Sequence, residues 1–343
     1  MSKRTRILLI YTGGTIGMVK EYQTGTLKPF NFDKLVEQIP ELGQLDCAIH
    51  SVSFKHPLDS SNMNPTHWIH IAEIIEKHYE EYDGFVVLHG SDTMSYTSSA
   101  LSYMLENLGK PVIFTGSQLP IGDLRTDAKE NLITSIQIAG MQKGNRPLIC
   151  EVCLYFEHNL YRANRTTKVN AEHFEAFTSP NYPPLAESGV HIKVNEEDLW
   201  EPVRRRRKFV AHKILDDRVA IFKLFPGFNE QLLQGILRIS DLQAVILETY
   251  GAGNAPTEKW FIDELSAAKK RGLHIVNVTQ CSGGAVSMGR YETSEALRRL
   301  QIINGSDITT EGAITKLMYM LGREISSASF KTVFETSIRG EMS

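Results

Sequence analysis

The chain has 343 residues, of which 22% are charged and 42% hydrophobic, as in an ordinary globular protein of about two domains. These proportions exclude a disordered, collagen-like or coiled-coil chain. The 37 Lys and Arg residues against 40 Asp and Glu give a net charge of −3, which argues against general nucleic-acid binding. Four cysteines are too few for a disulfide framework, and the apolar run Ile7–Tyr11 is too short for a signal peptide or a membrane helix. We therefore expect a soluble protein in a reducing compartment, the cytoplasm.

Short apolar runs alternate along the chain with longer amphipathic segments, a pattern that predicts parallel sheets covered by helices. The predicted strands are Ile7–Tyr11, Phe85–His89, Val112–Thr115, Leu148–Phe156, Val219–Phe225, Ala244–Thr249 and His274–Thr279. After Pro65, apolar side chains recur with helical spacing as far as Tyr79, so a helix that packs on the sheet is predicted there. A second helix is predicted over Met94–Leu108, because a cap region precedes it and Gly109 follows it.

Proline, glycine and a run of positive charge interrupt this alternation in the middle of the chain. We predict an N-terminal domain over residues 1–190, a linker over 191–214 and a smaller C-terminal α/β domain over 215–343. The basic run Arg204–Lys208 is compatible with a nucleic-acid or acidic-lipid patch. A solvated linker or hairpin edge is favoured, because the chain as a whole is acidic.

A glycine turn follows the first predicted strand directly. Gly13 and Gly14 let the backbone turn tightly and present Thr15 at the carboxyl end of the strand, where open α/β sheets bind their ligands. The turn has neither the Gly-Lys-Ser/Thr of a P-loop nor the glycine spacing of a dinucleotide site, so it supports nucleotide binding only weakly. On this motif alone, a plain connection from strand to loop is favoured.

A second polar cluster stands where Phe85–His89 meets the next helix. Ser91, Asp92 and Thr93 follow one another there, although a helix N-cap needs only one such residue. A hydroxyl at this place can act as a nucleophile or relay, and its backbone N–H can stabilise an oxyanion. Its activation requires a base, and since no Gly-x-Ser-x-Gly elbow is present, a desolvated lysine is the remaining candidate. The spacing of Lys168 alone favours a surface charge.

Five motifs, in this order, resemble those of the bacterial-type L-asparaginases and in particular their cytoplasmic type I branch. They are Thr12–Gly17, His89–Met94, Thr115–Gln118, Arg162–Lys168 and Tyr250–Pro256. The resemblance extends over nearly the whole chain and implies an α/β fold with two α/β domains, a larger N-terminal parallel-sheet, flavodoxin-like domain and a smaller C-terminal Rossmann-like domain. It implies an amidohydrolase that acts on a small molecule without a metal, and we expect no cofactor. Composition and charge, as above, lead us to expect no nucleic-acid or membrane partner. It also implies a homodimer or homotetramer with active sites near the subunit contacts.

The resemblance assigns catalytic roles to the residues at matching positions. Thr15 corresponds to the nucleophile that attacks the side-chain amide carbon and forms an acyl ester. Ser91, Asp92 and Lys168 correspond to a relay that supports it.

The resemblance also assigns a substrate-binding loop. Asp59, Ser60 and Ser61 occupy this loop, in which the two serines hold the α-carboxylate of the substrate. Asp92, next to Ser91, holds the α-ammonium group. A carboxylate paired with an ammonium group, and hydroxyls on a carboxylate, fix which end of an amino acid faces the nucleophile.

Two departures from the family pattern concern catalysis. Ser91 stands where the family has threonine; it retains the hydroxyl and loses the methyl group that stiffens χ1, so we expect retained activity with a looser relay. The tyrosine that follows the first motif in the family falls at Thr26, with Tyr22 four residues earlier. Either Tyr22 or Tyr291 is then expected to supply the phenol, and we favour Tyr291 as a catalytic residue.

A third departure concerns regulation. Type I enzymes carry an allosteric asparagine site in which an arginine meets the ligand carboxylate. Glu248 stands at the matching position here and is expected to repel that carboxylate. Thr279, Gln280 and Cys281 keep the neighbouring pattern, so we predict an allosteric pocket without the same regulation.

Two further groups are interpreted as structural. Cys150 and Cys153 have the spacing of half a zinc site but lack a second pair, and buried cysteines are favoured. Residues 123–127 carry two aspartates that are compatible with a cation site, but the solvated start of a helix capped by Thr126 or Asp127 is favoured.

The sequence therefore predicts an L-asparagine amidohydrolase that releases L-aspartate and ammonia through an acyl ester on Thr15. A glutaminase-asparaginase of broader specificity and the amidase subunit of a transamidation complex are alternatives on the same fold. A catalytically silent amino-acid sensor is the alternative outside the enzyme class, favoured by the departures at Thr26 and Glu248. The complete set of nucleophile and relay residues favours the enzyme.

Overall fold

The computed structural model describes residues 4–20, 27–29, 39–201, 207–289 and 292–343. The strands in these ranges are β1 Thr5–Gly13, β2 Met18–Lys20, β3 Leu27–Pro29, β4 Cys47–Leu58, β5 Gly84–Leu88, β6 Leu105–Glu106, β7 Val112–Thr115, β8 Gln142–Lys143, β9 Arg146–Pro147, β10 Val152–Phe156, β11 Asn159–Arg162, β12 Thr167–Lys168, β13 Phe177–Thr178, β14 Ala186–Ser188, β15 Ile192–Val194, β16 Val210–Ala211, β17 Val219–Lys223, β18 Ala244–Thr249, β19 His274–Thr279 and β20 Ile303–Asn304. The helices in the same ranges are α1 Pro65–His78, α2 Met94–Met104, α3 Ala128–Ala139, α4 Glu230–Leu237, α5 Lys259–Lys270, α6 Glu292–Arg299, α7 Thr310–Gly322 and α8 Ser327–Phe334. The chain divides into two compact units, Met1–Lys213 and Ile214–Ser343.

The first unit is built on an eight-stranded sheet in the order β15-β14-β11-β10-β7-β5-β1-β4. The neighbours from β4 to β10 are parallel, and the other three strands join the sheet antiparallel. Counted along the chain, the parallel strands stand in the order 2-1-3-4-5, which is the flavodoxin-like arrangement. In such a sheet, ligands bind beyond the carboxyl ends of the strands, where the strand order reverses. That place lies between β1 and β5.

The core of the first unit makes this platform rigid. Ile7 and Leu9 of β1 and Leu88 of β5 belong to one buried cluster with Leu132 and Ile136 of α3. Burying an aliphatic side chain of this size contributes about 1.5–3 kcal/mol, so the ends of the central strands are held firmly.

The second unit has a smaller sheet in the order β17-β18-β19-β20, in which every pair is parallel. Its core packs Leu233 of α4 and Phe261 and Leu265 of α5 against Val245 and Leu247 of β18. The prediction of two α/β domains, the larger one at the N-terminus, is confirmed.

Strand β4 was not predicted, and several predicted elements have other bounds in the structure. The helix predicted over Met94–Leu108 ends at Met104, because the next two residues form β6 and pair with β16. The strand predicted over Leu148–Phe156 begins only at Val152. Strand β15, inside the predicted linker 191–214, pairs with β14 and extends the N-terminal sheet.

The basic run at residues 204–208 is partly described. Residues 204–206 lie outside the described residues, and Arg207 and Lys208 are exposed. Among the helices of the described ranges, none is long and apolar enough to cross a membrane.

Candidate active site

The glycine turn after β1 lies between the ends of two neighbouring strands. The backbone N–H of Gly14 donates to the carbonyl of Leu58, the last residue of β4 (3.0 Å). Gly14 has a φ of 86°, a conformation that glycine adopts without strain, and a Cβ at this position would overlap the backbone of Gly90. Thr15 is half-buried and starts the short 3₁₀ turn that follows. Because Gly14 and Gly90 touch, Thr15 and Ser91, the residues that follow them, lie at the same edge of the sheet.

The loop after β4 packs against this glycine pair. Asp59 caps the 3₁₀ turn of residues 60–62, since its Oδ1 accepts from the backbone N–H of Ser61 (2.9 Å) and from its hydroxyl (2.8 Å). These hydrogen bonds lower the pKa of Asp59. Ser60 is buried and would meet a Cβ at Gly90, and its carbonyl accepts from Thr93 Oγ1 (2.7 Å).

The residues assigned to the relay are in direct contact. Lys168 Nζ donates to Ser91 Oγ (2.9 Å) and to Asp92 Oδ1 (2.7 Å). The lysine side chain is 17% exposed and the Asp92 side chain 66% exposed. The lysine, which by spacing alone looked like a surface charge, is therefore mostly enclosed and paired.

A buried framework carries Lys168 to this position. Arg162, at the end of β11, pairs with Glu151 through its Nε and the glutamate Oε2 (2.7 Å), and both side chains are nearly inaccessible. Arg165 is also buried, in the 3₁₀ turn that precedes β12. Thr166 Oγ1 donates to the carbonyl of Ala163 (2.7 Å) and lies at hydrogen-bond distance from the hydroxyl of Ser95 in α2 (3.1 Å). The motif around the lysine is thus anchored to the sheet and to the helix that begins at the site.

Gln118 is a residue of the site to which the sequence assigned no role. It follows β7, the strand next to β5, and its Oε1 accepts from Ser91 Oγ (3.2 Å). Its backbone N–H donates to the carboxylate of Asp127 (2.9 Å to Oδ2). The sequence did point to Gln118, because it is the last residue of the third matching motif. Nothing in its spacing, however, indicated contact with Ser91.

The interpretation of Asp127 as part of a solvated helix start is wrong. The residue is 7% exposed, and its carboxylate accepts from the backbone N–H groups of Gln118 and Leu119 and from Asn131 Nδ2. Burial raises its pKa, and the hydrogen bonds oppose that rise. Thr126 Oγ1, which accepts from Ala128 N (3.0 Å), is the hydroxyl that caps α3.

The candidate allosteric residues come together in the second unit, at the carboxyl ends of β18 and β19. Glu248 Oε1 accepts from Thr310 Oγ1 (2.6 Å), and its Oε2 lies 3.7 Å from Lys223 Nζ. Gln280 Nε2 donates to the carbonyl of Glu248 (2.8 Å). Thr279 Oγ1 donates to the carbonyl of Gly251 (2.6 Å) and accepts from the backbone N–H that follows Gln280. Cys281, which carries that N–H, has an exposed side chain.

The two tyrosines proposed to supply the catalytic phenol, Tyr22 and Tyr291, lie outside the described residues, as does Thr26. Within the ranges that the structure covers, no group of three or more His, Cys, Asp or Glu side chains is arranged to hold a metal ion. Cys150 and Cys153 are free and buried, and burial raises the pKa of both thiols.

Comparison with known protein families decides the relationship. Residues 6–200 match the family described as "Asparaginase, N-terminal", and residues 218–334 match the "Glutaminase/Asparaginase C-terminal domain". The chain belongs to the asparaginase family. The resemblance drawn from the five motifs is confirmed.

Individual asparaginases are similar over their full length. L-asparaginase 1 of Escherichia coli strain K12 is 42% identical over 343 residues, which cover 100% of this chain and 99% of that protein. The crystal structure of L-asparaginase I from Vibrio cholerae matches with a TM-score of 0.89 at 39% identity, over 99% of this chain and 100% of that one. A protein with a different name is also similar: the 60 kDa lysophospholipase of Mus musculus is 40% identical, over 100% of this chain and 63% of that protein.

Proposed function

We propose that this protein hydrolyses L-asparagine to L-aspartate and ammonia, with Thr15 as the nucleophile. The observation that carries the proposal is the contact of Lys168 with both Ser91 and Asp92, at the sheet edge that also presents Thr15. A nucleophilic hydroxyl beside a hydroxyl, a carboxylate and a lysine fits acyl transfer, and the chain belongs to a family of amidohydrolases.

The first half-reaction is transfer of the acyl group to the enzyme. The Thr15 hydroxyl oxygen forms a bond to the amide carbon, and the carbon–nitrogen bond breaks. The proton that the hydroxyl loses leaves with the amine as ammonia, which yields an ester on Thr15. The oxyanion formed on the way needs hydrogen-bond donors, and the first N–H groups of the turn at residues 91–93 are the donors that a helix start offers.

The second half-reaction is hydrolysis of that ester. Water attacks the ester carbon, the bond to Thr15 breaks, and the proton from water returns to the Thr15 oxygen. We propose that Ser91 accepts a hydrogen bond from this water, while Lys168 and Asp92 hold Ser91 and balance the charge. A hydrogen-bond acceptor held in this position orients the water toward the ester carbon.

We propose that the backbone of the amino-acid substrate is held by the two loops beside the nucleophile. Asp92 Oδ1 accepts from Lys168, so its second oxygen is the one assigned to the α-ammonium group. Ser60 and Ser61 are assigned to the α-carboxylate. Ser61 Oγ donates to Asp59 in the structure, so it must rotate to reach the substrate, and Asp59 serves chiefly to shape the loop.

The remaining predictions are kept as proposals. We propose that Tyr291 supplies the catalytic phenol, and that the protein is a cytoplasmic homodimer or homotetramer. In the second unit, we propose that Glu248 excludes an effector carboxylate, because its own carboxylate is fixed by Thr310. We then expect a hyperbolic rather than a sigmoidal dependence of rate on asparagine concentration.

The deciding experiment is the release of ammonia by the purified protein with L-asparagine and L-glutamine in parallel. We expect turnover of asparagine that Thr15→Val lowers by about a thousandfold or more, because valine has the shape of threonine without its hydroxyl. Thr332→Val, at an exposed threonine of α8, is the matched control and is expected to keep full activity.

Three outcomes would overturn the proposal in different ways. Full activity of Thr15→Val would show that Thr15 is not the nucleophile. Absence of ammonia, with asparagine still raising the melting temperature, would favour the silent sensor. Release of fatty acid from a lysophospholipid in place of ammonia would favour the activity named for the mouse relative.

A further inference from the structure

Gln118 holds its amide group in one orientation. Its Nε2 donates to the carbonyls of Ala171 (3.3 Å) and His173 (3.0 Å), which can only accept hydrogen bonds. The nitrogen end of the amide must therefore face these two carbonyls, so the oxygen end must face Ser91. A side-chain oxygen of glutamine only accepts, and hence the Ser91 O–H points at Gln118.

The backbone of Gln118 is fixed as well. Its N–H donates to the buried carboxylate of Asp127. Asn131 Nδ2 donates to that carboxylate (3.2 Å to Oδ2) and to the carbonyl of Gly116 (3.1 Å). A residue fixed at both ends can hold a neighbouring group without losing conformational freedom of its own.

These contacts determine where Ser91 donates a hydrogen bond and where it accepts one. Its proton is directed to Gln118, and one of its lone pairs accepts from Lys168. The second lone pair is left to accept from the reacting hydroxyl or water. Serine lacks the branched Cβ that restricts χ1 of threonine, so this oxygen depends on its hydrogen bonds for its position.

We propose that Gln118 is a positioning residue for catalysis: it holds the Ser91 hydroxyl so that its oxygen accepts a hydrogen bond from the reacting hydroxyl or water. The inference rests on the proposed function, because the reaction centre is that of Thr15. Gln118 touches neither the substrate nor the nucleophile in this scheme and acts through Ser91.

The test is a double-mutant cycle between Gln118→Met and Ser91→Thr. Methionine has the length of glutamine without its hydrogen bonds. We expect Gln118→Met to lower kcat for L-asparagine about tenfold while KM changes by less than about twofold, since the loss of one hydrogen bond to a hydroxyl is of this size. In the Ser91→Thr background the same change is expected to cost less than about threefold, because the methyl group restricts χ1.

The control separates this role from a structural one. Gln142→Met removes a glutamine that donates to a threonine hydroxyl elsewhere in the first unit (3.3 Å to Thr5 Oγ1), and it is expected to leave kcat unchanged. Gln118→Met also frees the loop at Ala171 and His173, but that effect is the same in both backgrounds and cancels in the cycle. Equal losses in the two backgrounds, or no loss in either, would overturn the proposal.

A second measurement is independent of activity. We expect high-resolution crystal structures to contain one Ser91 rotamer in the unsubstituted protein and several in Gln118→Met. A single unchanged rotamer in the variant would overturn the positioning role whatever the activity. If the unsubstituted protein releases no ammonia but Ser91 becomes disordered in the variant, the proposed function fails and the geometric role of Gln118 stands.

Discussion

At the scale of single residues, His89 is a titratable group of the active-site motif that the proposed reaction does not use. It is fully buried, and its Nδ1 lies 2.7 Å from the carbonyl of Gly90. That carbonyl can only accept, so Nδ1 carries the proton of the neutral ring. No donor among the described residues reaches its Nε2. Burial lowers the pKa of the ring from 6.5 to about 4.

This low pKa predicts a pH dependence of stability. Below pH 6.5 the unfolded chain binds a proton at His89 that the folded chain does not bind, so the free energy of unfolding falls as the pH is lowered toward 4. Between pH 7.5 and pH 5 the loss is expected to be about 2 kcal/mol. Urea unfolding of His89→Gln is expected to lack this part of the dependence, whereas the exposed His191→Gln keeps it. An unchanged dependence in His89→Gln would contradict the assignment.

At the scale of elements, the proposed active site depends on how closely the turns after β1 and β5 approach each other. Both turns place a glycine at the contact. A Cβ on Gly14 would overlap the backbone of Gly90, and a Cβ on Gly90 would overlap the side chain of Ser60. The parallel pairing of β1 with β5 sets the height of the two turns, and the Gly14 to Leu58 hydrogen bond sets the position of the first. The relative position of Thr15 and Ser91 therefore depends on three strands, β1, β4 and β5.

Substitution of one glycine tests this dependence. Gly14→Ala combines a positive φ of 86° with the overlap at Gly90, and we expect it to lose about 2–4 kcal/mol of unfolding free energy and most of its ammonia release. Gly144→Ala is the matched control, because Gly144 has a φ of 66° and open space around its Cβ position. It is expected to lose only about 1 kcal/mol and no activity. Similar losses in the two variants would mean that the contact with Gly90 is unimportant.

Burial and strand pairing explain which elements could be predicted from the sequence. The central strands are buried on both faces and read as short apolar runs, so their positions were predicted to within a few residues. Strand β4 was not predicted, because it forms an edge of the sheet and most of its twelve side chains are half-buried or exposed. The last turn of the second predicted helix was lost because pairing with β16, more than a hundred residues away, replaced it.

The residues of the proposed active site also differ in how far the sequence could predict them. Thr15 and Ser91 could be found from sequence, because each follows a recognisable strand and topology brings parallel strand ends together. Lys168 required the family resemblance, since its approach to Ser91 depends on the buried Arg162 framework. Gln118 was missed because its proposed role depends on the orientation of one amide group, which sequence spacing does not indicate.

At the scale of the whole molecule, the two units divide the proposed roles. The residues assigned to nucleophile, relay and substrate binding lie in the first unit, apart from Tyr291. The second unit carries Tyr291 and the proposed effector pocket around Glu248. A change that alters the stability of the second unit without touching either group should therefore leave the chemistry of a folded molecule intact.

The buried ion pair Lys316–Glu341 offers such a change. Both side chains are fully inaccessible, and Lys316 Nζ also donates to the carbonyls of Phe334 (2.7 Å) and Thr336 (2.8 Å). Glu341 in turn accepts from the backbone N–H of Arg339 (2.7 Å), so the pair fastens the C-terminal residues to α7. Burial lowers the pKa of Lys316, and the carboxylate opposes this effect.

Removal of one charge from this pair is expected to destabilise the protein strongly. Glu341→Gln leaves the ammonium group of Lys316 buried without its counter-ion, which should cost about 3–5 kcal/mol of unfolding free energy in urea titrations. Asp263→Asn, which breaks the exposed pair with Lys259, is the matched control and should cost less than about 1 kcal/mol. The double change Lys316→Met with Glu341→Gln should recover part of the loss, since no unpaired charge stays buried. Below its unfolding transition, Glu341→Gln is expected to release ammonia at the unsubstituted rate; a lower rate would mean that the C-terminal fastening supports the active site.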